Sequence, residues 1–360
     1  MQYLVLTIYF FTLFFLGRKL LGGYSESGYK IAIRNIIWFS AIFYVTYFVG
    51  LRPSTDFGDT FRYVWTYNRL TALSEAQYDG QLLYGNTEWL FWPLSYVFKF
   101  IGFGPQAWLV GMVILPAVIL TYCYRKLIKS DDWVYVFAAI YLSYYLVFSL
   151  AMRQAMAESL VILSLVFSVE KKVKLSILMS LLALGFHQSA AIALLFPFLV
   201  NIKFTPRMLM GACLAAIFFS TVASSYMLNT FQYLGLDSAI NKLTEYSYDA
   251  KEFDNLFYHA QFLLLFFVSL LYLYVEREKQ RGIYSFVVYV FFLIFFFWSM
   301  PVMSGRMMGY VTVVFPIMLY YILKSFFNAE NAFYLFITFF GMLGFLVIST
   351  ESTRLVLGLP

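Results

Sequence analysis

Charge is scarce in this chain. Asp, Glu, Lys and Arg make up 12% of its 360 residues, and only 2 residues are histidine and 2 cysteine. Hydrophobic residues reach 62% and mean hydropathy is +0.76, whereas soluble domains carry about 25% charged residues. That excludes a soluble domain and points to an all-α, polytopic transmembrane bundle in a lipid bilayer. Cys123 and Cys213 both lie in apolar runs, so no disulfide framework is indicated. Two histidines cannot build a typical zinc site with three protein nitrogens. No GxxxxGK[ST], GxGxxG or HExxH motif occurs, which argues against ATP hydrolysis by this chain. The net charge of +6 needs no nucleic-acid partner, because Lys and Arg are expected to gather on the cytoplasmic side of a membrane.

What is present is a succession of apolar runs. They predict helices near 2–20, 32–50, 105–123, 133–150, 152–169, 173–186, 188–200, 208–225, 257–275, 283–300, 307–323 and 332–349, giving about twelve crossings in one integral membrane domain over 1–360. The first run is apolar from its start and basic only at Arg18 and Lys19, the reverse of a cleavable signal peptide. A further piece, Trp89 to Ile101, contains Pro93 and Lys99 and reads as interfacial or re-entrant. With this topology sixteen of the 25 Lys and Arg fall in cytoplasmic loops, as the positive-inside bias requires. Two outer loops are long, 51–88 (with the re-entrant piece extending it to 101) and 226–256. Both are rich in Tyr, Asp, Asn, Ser and Thr. Such residues stack on sugar rings and bond sugar hydroxyls, although Tyr also gathers at membrane interfaces.

Four constellations stand on the outer side. The first loop opens GLRPSTDFGDTFRYVWTY. Arg52 follows a helix, Asp56 and Asp59 are three apart, and a helix over 57–68 would put Asp59, Arg62 and Tyr63 on one face. A carboxylate there can take a proton from a sugar hydroxyl, and arginines can hold phosphate; the same residues could equally be ordinary ion pairs of a solvated loop. Arg153 lies in LVFSLAMRQAMAESL, with Glu158 five residues later, more than one turn deeper. It reads either as a snorkelling helix-end arginine or as a guanidinium facing an outer cavity, where its fork suits phosphate. His187, in GFHQSA, interrupts an otherwise apolar stretch at membrane depth, where a titratable group is costly. Arg306, in MPVMSGRMMGY, is expected with Gly305 in a tight outer turn. Arginines converging on one face call for an anionic ligand, and a lipid pyrophosphate fits, its tail between helices and its phosphates at the interface. Asp56 and Asp59 leave an Mg²⁺ site open, but this reading requires neither metal nor cofactor.

The GLR segment followed by aspartate and tyrosines, the membrane RQAMA segment, and FHQSA after a lysine cluster together resemble the EpsG/Wzy-type bacterial polysaccharide polymerases. The resemblance implies a GT-C-like fold in the bacterial inner membrane, with the active site facing the periplasm. It implies transfer of a glycan from undecaprenyl pyrophosphate onto the non-reducing end of a lipid-linked repeat unit. The partner is then an undecaprenyl-pyrophosphate-linked oligosaccharide, with a chain-length regulator as a further candidate. The family's basic residues map onto Arg52, Arg153 and Arg306, its histidine onto His187, and its aspartate onto Asp56 or Asp59. Arg153, Arg306 and Arg52, with Tyr63, would hold the pyrophosphate. His187, Asp56 or Asp59 would serve as the base. A lipid-linked glycan flippase, an O-antigen ligase and a membrane O-acyltransferase are the alternatives. The flippase would want charge along mid-membrane helix faces, and the acyltransferase a donor on the cytoplasmic side.

Overall fold

A computed structural model describes residues 12, 15–17, 27–52, 58–71, 89–128, 130–143, 151–200, ten positions between 202 and 218, 256–275, 281–298 and 301–349. Among them every regular element is helical. In order these are α1 (Ser27–Val45), a π-helical turn (Thr46–Gly50), α2 (Gly58–Arg69), α3 (Phe91–Phe100), α4 (Pro105–Leu127), α5 (Trp133–Ser143), α6 (Met152–Val169) and α7 (Val173–Phe186). A 3₁₀ helix (Gln188–Leu195) runs into α8 (Phe196–Leu199). Then come α9 (Leu256–Val275), α10 (Arg281–Phe296), α11 (Pro301–Phe326) and α12 (Ala329–Ser349). Pro105–Leu127, Met152–Val169 and Val302–Phe326 are long and apolar enough to cross a membrane, and five described helices are apolar but shorter. The expected crossings near 2–20 and 208–225, and the loop 226–256, lie wholly or mostly outside the described residues.

The centre of the bundle is α5, α6 and α11. Along α5, Trp133 to Ala139 are all buried, and so are Val311, Val314, Phe315, Ile317 and Met318 of α11. α4 packs along α6, α9 and α10 pack on α11, and α1 and α12 flank α5. The outward faces stay apolar. On α1 and the π-helical turn that follows it, Ile36, Phe39, Phe43 and Tyr47 are exposed, and on α9 so are Leu263, Phe267, Leu271 and Tyr274. Stripes of this kind at helical spacing face lipid in a membrane protein, where solvent exposure carries no hydrophobic penalty.

The tightest pair is the α6–α7 hairpin. Serines at fourfold spacing on each helix meet across it. The Ser164 hydroxyl is 2.9 Å from that of Ser176 and 2.7 Å from that of Ser180, and Ser168 is 2.6 Å from Ser176. All four are buried. Small residues let the backbones approach, and hydroxyls bond across helices at about 0.6 kcal/mol each in lipid. Ser180 also donates to the carbonyl of Ala193 at 3.0 Å, so the chain doubles back at His187 and the 3₁₀ helix runs alongside α7.

Polar contacts sort the helix ends. At one end Arg34 pairs with Asp131 at 2.6 Å, Glu170 with Lys172 at 2.7 Å and with Lys126 at 3.1 Å, and the Tyr320 hydroxyl donates to Asp132 at 2.6 Å. Lysine at the Glu170 pair holds that carboxyl below the usual carboxylate range, Lys172 first and Lys126 second. At the other end Gln106 donates to the carbonyl of Gly50 at 2.5 Å, and Arg52, Tyr63 and Arg153 gather. Among the described residues, Arg34, Lys126 and Lys172, assigned from charge to one side, therefore share one end of the bundle, and Arg52 and Arg153, assigned to the other side, meet at the opposite end.

Two expectations need correction. The turn placed at Gly305–Arg306 is not there: Arg306 lies inside α11, which starts at Pro301, while Phe297 and Trp298 form the turn closing α10. Proline at the first helical position is a start signal, and glycine is well tolerated in membrane helices. Second, Arg62 and Tyr63 do not share an environment. α2 is helical as expected, but Arg62 is exposed whereas Thr60, Tyr63, Val64, Thr66 and Tyr67 form its buried face. Asp56, and the side chain of Asp59, fall outside the described residues.

Candidate functional site

The site is built on the first two turns of α6, and it has two parts. The first faces α2. The π-helical turn ends α1 and brings Arg52 back over its own helix end. Arg52 donates from Nη1 to the carbonyl of Val49 at 2.5 Å and from Nε to the hydroxyl of Thr60 at 3.0 Å. It thereby satisfies one of the orphan carbonyls a helix end leaves. Its exposure is only 2%, and among the described residues its buried Nη2 has no hydrogen-bond partner. Burial pulls this guanidinium down to about 10, with nearby Tyr63 opposing the shift. It remains a cation at neutral pH, desolvated, with one donor unused among the described residues. A buried cation of this kind is costly unless an anion offsets it.

Tyr63 connects Arg52 to Arg153. Its ring is buried, 5.5 Å from that of Phe91. Its hydroxyl accepts from Arg153 Nε at 3.0 Å, and the Arg153 guanidinium carbon lies 5.4 Å from the ring centroid. Hydrogen bond and cation–π contact together fix which way the guanidinium fork points. α2 is itself held by Lys99 of α3, which donates to the carbonyls of Tyr67 and Asn68 at 2.9 and 2.7 Å. Those are carbonyls of the last turn, where a lysine is favourable. Tyr67 stacks on Trp108 of α4 at 4.5 Å.

The second part faces α11 and the 3₁₀ helix. His187 breaks the helical path with φ −155° and ψ 131°, and its ring caps the 3₁₀ helix: Nδ1 accepts from the backbone N–H of Ser189 at 3.3 Å. Nδ1 also lies 2.7 Å from the Ser189 hydroxyl, which is 2.8 Å from the hydroxyl of Tyr310. A consistent proton order runs Tyr310 O–H to Ser189 Oγ, then Ser189 O–H to His187 Nδ1. An Nδ1 that accepts places the imidazole proton on Nε2 in the neutral ring. Tyr310 also feels the charges of Glu158 on α6 and of Arg306, four residues before it on α11. Glu158 is 2% exposed and accepts from Gln154 Nε2 at 2.9 Å.

The structure therefore brings Arg52, Tyr63 and Arg153 into one group, and His187, Arg306 and Glu158 around Ser189 and Tyr310 into another. Arg153 and Glu158 are five residues apart on α6, about 7.5 Å along its axis and about 140° around it. The two groups thus occupy different faces of the same helix end. Glu158, Tyr310, Ser189, Gln154 and Thr60 were not among the expected site residues. Glu158 had a signal, being an acid in an apolar helix. Tyr310 had none among 30 tyrosines, since only the packing of α11 selects it. Among the described residues no group of three His, Cys, Asp or Glu could hold a metal ion.

The chain is thus an all-helical bundle, with helices long and apolar enough to cross a membrane, that gathers arginines, a histidine and a buried acid at one end. The EpsG family model matches residues 35–356, nearly the whole chain, so the chain belongs to the EpsG family. That membership supports a polysaccharide-polymerase-like role. No curated protein and no solved structure matches the chain.

Proposed function

We propose that the protein is a metal-independent membrane glycosyltransferase that polymerises a polysaccharide from lipid-linked repeat units at the outer face of the bacterial inner membrane. The observation that carries this reading is the family match across residues 35–356. The arginine–tyrosine–arginine group at one bundle end supplies chemistry that fits it. The membrane is crossed about twelve times, with the lysine-rich end cytoplasmic and the Arg153 end periplasmic. α3, anchored at that periplasmic end, dips into the bilayer as a re-entrant piece.

In the reaction, the acceptor sugar hydroxyl attacks the anomeric carbon of the donor glycan. A new C–O bond forms as the anomeric C–O bond to undecaprenyl pyrophosphate breaks. The pyrophosphate leaves with the electron pair, and the hydroxyl proton passes to a base. Arg153 and Arg52 meet the charge that grows on the leaving group, and Arg306 adds to the field from α11. Donors aimed at charge that develops in the transition state accelerate the step and not merely binding. His187, Asp56 and Asp59 are candidates for the base, and Glu158 joins them through its place beside Tyr310. His187 contacts the reacting groups, and the Tyr310–Ser189 chain sets its tautomer. The loops 51–88 and 226–256 grip the sugars, and a chain-length regulator is the expected protein partner.

A polysaccharide ladder on a gel tests this reading, run from cells deleted for the gene and from cells carrying Arg153→Ala or His187→Ala. The expected deletion phenotype is lipid capped with a single repeat unit, reproduced by both variants at normal protein level. Polymer accumulating on its carrier with no capped lipid would mean a ligase. Repeat units left on the cytoplasmic side would mean a flippase. Normal-length polymer from Arg153→Ala would remove that residue from the site.

A further inference from the structure

Between α3 and α7 lies a groove of about 550 Å³, within the range of about 300–1,000 Å³ typical of ligand pockets. Leu90, Leu94, Val97 and Phe100 form one wall at helical spacing, and Leu182 and Phe186 the other. The opposite face of α3, with Phe91, Trp92 and Ser95, is buried in the protein. The groove's outer rim is open: Val97 is 47% and Phe100 79% exposed. Its deep end is shut by a backbone hydrogen bond from Leu90 N–H to the carbonyl of Gly185 at 2.9 Å. Gly185 permits that closure, because a Cβ there would stand 2.6 Å from Leu90 Cδ1 and 2.7 Å from Cγ.

This closed end adjoins His187 directly and is separated from Tyr63 by the ring of Phe91. Phe186, a wall residue, precedes His187. Leu90, the other end residue, precedes Phe91, whose ring packs on Tyr63 beneath Arg153. A ligand seated here has an apolar chain along α3 and α7 and an anionic head where the chain meets the arginines. Nη2 of Arg52, buried and without a hydrogen-bond partner among the described residues, offers that head a donor. The wall is built of branched and aromatic side chains, a shape that accommodates a methyl-branched chain.

We infer that the α3–α7 groove holds the first isoprene units of a polyprenyl pyrophosphate, guiding its head to the arginine group. The inference rests on the proposed function for the substrate's class, and adds the site that grips its tail. The open rim lets the chain enter sideways from the bilayer, so the lipid never leaves apolar surroundings while its head reaches the site.

The test uses full-length protein in nanodiscs and a diazirine-bearing polyprenyl pyrophosphate without sugar. Irradiation is expected to label peptides containing Leu94–Phe100 and Leu182–Phe186. Unlabelled polyprenyl pyrophosphate should compete, and phosphatidylglycerol at the same concentration should not. Leu182→Trp, which fills the groove, should lower labelling at least fivefold. Leu181→Trp, on the exposed neighbouring face of α7, should leave it unchanged. Equal competition by phosphatidylglycerol would mean ordinary surrounding lipid and would overturn the inference, as would labelling that spares both helices. Competition is measured on the unaltered protein, so it decides the matter even if Leu182→Trp fails to fold. If the groove labels as expected but deletion of the gene leaves the polysaccharide ladder intact, the polymerase reading falls alone and the groove stands as a polyprenyl-pyrophosphate site for another transfer.

Discussion

Tyr63→Phe removes one oxygen from the centre of the arginine group and leaves everything else in place. The ring, buried against Phe91, is retained, and so is the cation–π contact with Arg153 at 5.4 Å. What is lost is the 3.0 Å hydrogen bond from Arg153 Nε. A hydrogen bond to a charged group contributes about 1.5–3 kcal/mol. Arg153 is only half-buried, so the lower figure applies, and about 1.4 kcal/mol is a tenfold change in rate. If Tyr63 aims the guanidinium at charge that appears only in the transition state, kcat falls about tenfold and KM for the donor hardly moves. The assay is the initial rate of dimer formation by purified protein in nanodiscs, with lipid-linked repeat unit as donor and acceptor. Tyr63→Ala is the contrast, because loss of a buried aromatic costs about 3–5 kcal/mol and should reduce folded protein as well. A Tyr63→Phe enzyme within twofold of the parent rate would refute the positioning role. A tenfold rise in KM with kcat unchanged would refute the transition-state argument and leave a binding role.

Four further outcomes are expected. Glu158→Gln keeps the shape and a hydrogen bond to Gln154 while removing the ionisable proton; polymer should fall at least tenfold with protein level and detergent-extracted melting unchanged, and full-length polymer would exclude Glu158 as a proton carrier. Gly185→Ala pushes a methyl into Leu90, an overpacking of about 1–3 kcal/mol, so polymer yield should drop and Gly185→Ala with Leu90→Ala should recover part of it; an additive double variant would show that the contact does not matter. Ser176→Ala removes the hydroxyl shared by Ser164 and Ser168 and should cost about 1 kcal/mol, read by unfolding of the protein in mixed micelles. Glu170 is held below the ordinary carboxylate range of about 4.3 by Lys172 and then Lys126. Its stabilisation is therefore present above pH 4.3 and lost as pH falls through its lowered value. The melting temperature of the parent should fall slightly more than that of Glu170→Gln between pH 5 and pH 3, slightly because exposed ion pairs contribute little.

The groove and the two polar groups share one structural cause. α7 is short, 14 residues, about 21 Å against a hydrocarbon core of about 30 Å. With the lysine-rich end at the cytoplasmic surface, as proposed above, its end with His187 would stop inside the bilayer. α3 fills the space above that end, and the junction of α3 with Gly185 is where apolar groove and polar cluster meet. A full-length α7 would carry His187 to the surface and leave no such junction.

Much was legible in the sequence. Sparse charge and long apolar runs determined an all-helical membrane protein, because lipid leaves backbone groups no partner but the helix. Lys and Arg counts sorted the helix ends, since charges are excluded from the apolar interior; Arg34, Lys126, Lys172 and Lys324 do share an end. Arg52, Arg153, Tyr63 and His187 stood out because polar side chains at helix ends in so apolar a chain need a reason. The tertiary structure alone decided the rest. It placed Arg306 within a helix, since Pro301 starts α11 earlier than the Gly305 signal suggested. It chose Tyr63 and Tyr310 as partners from many identical side chains, because which tyrosine meets Arg153 or Ser189 depends on how α2 and α11 pack on α6, over sequence separations of 90 and 121 residues. Composition and periodicity act along the chain, whereas a hydrogen bond across helices is fixed only when the helices have packed.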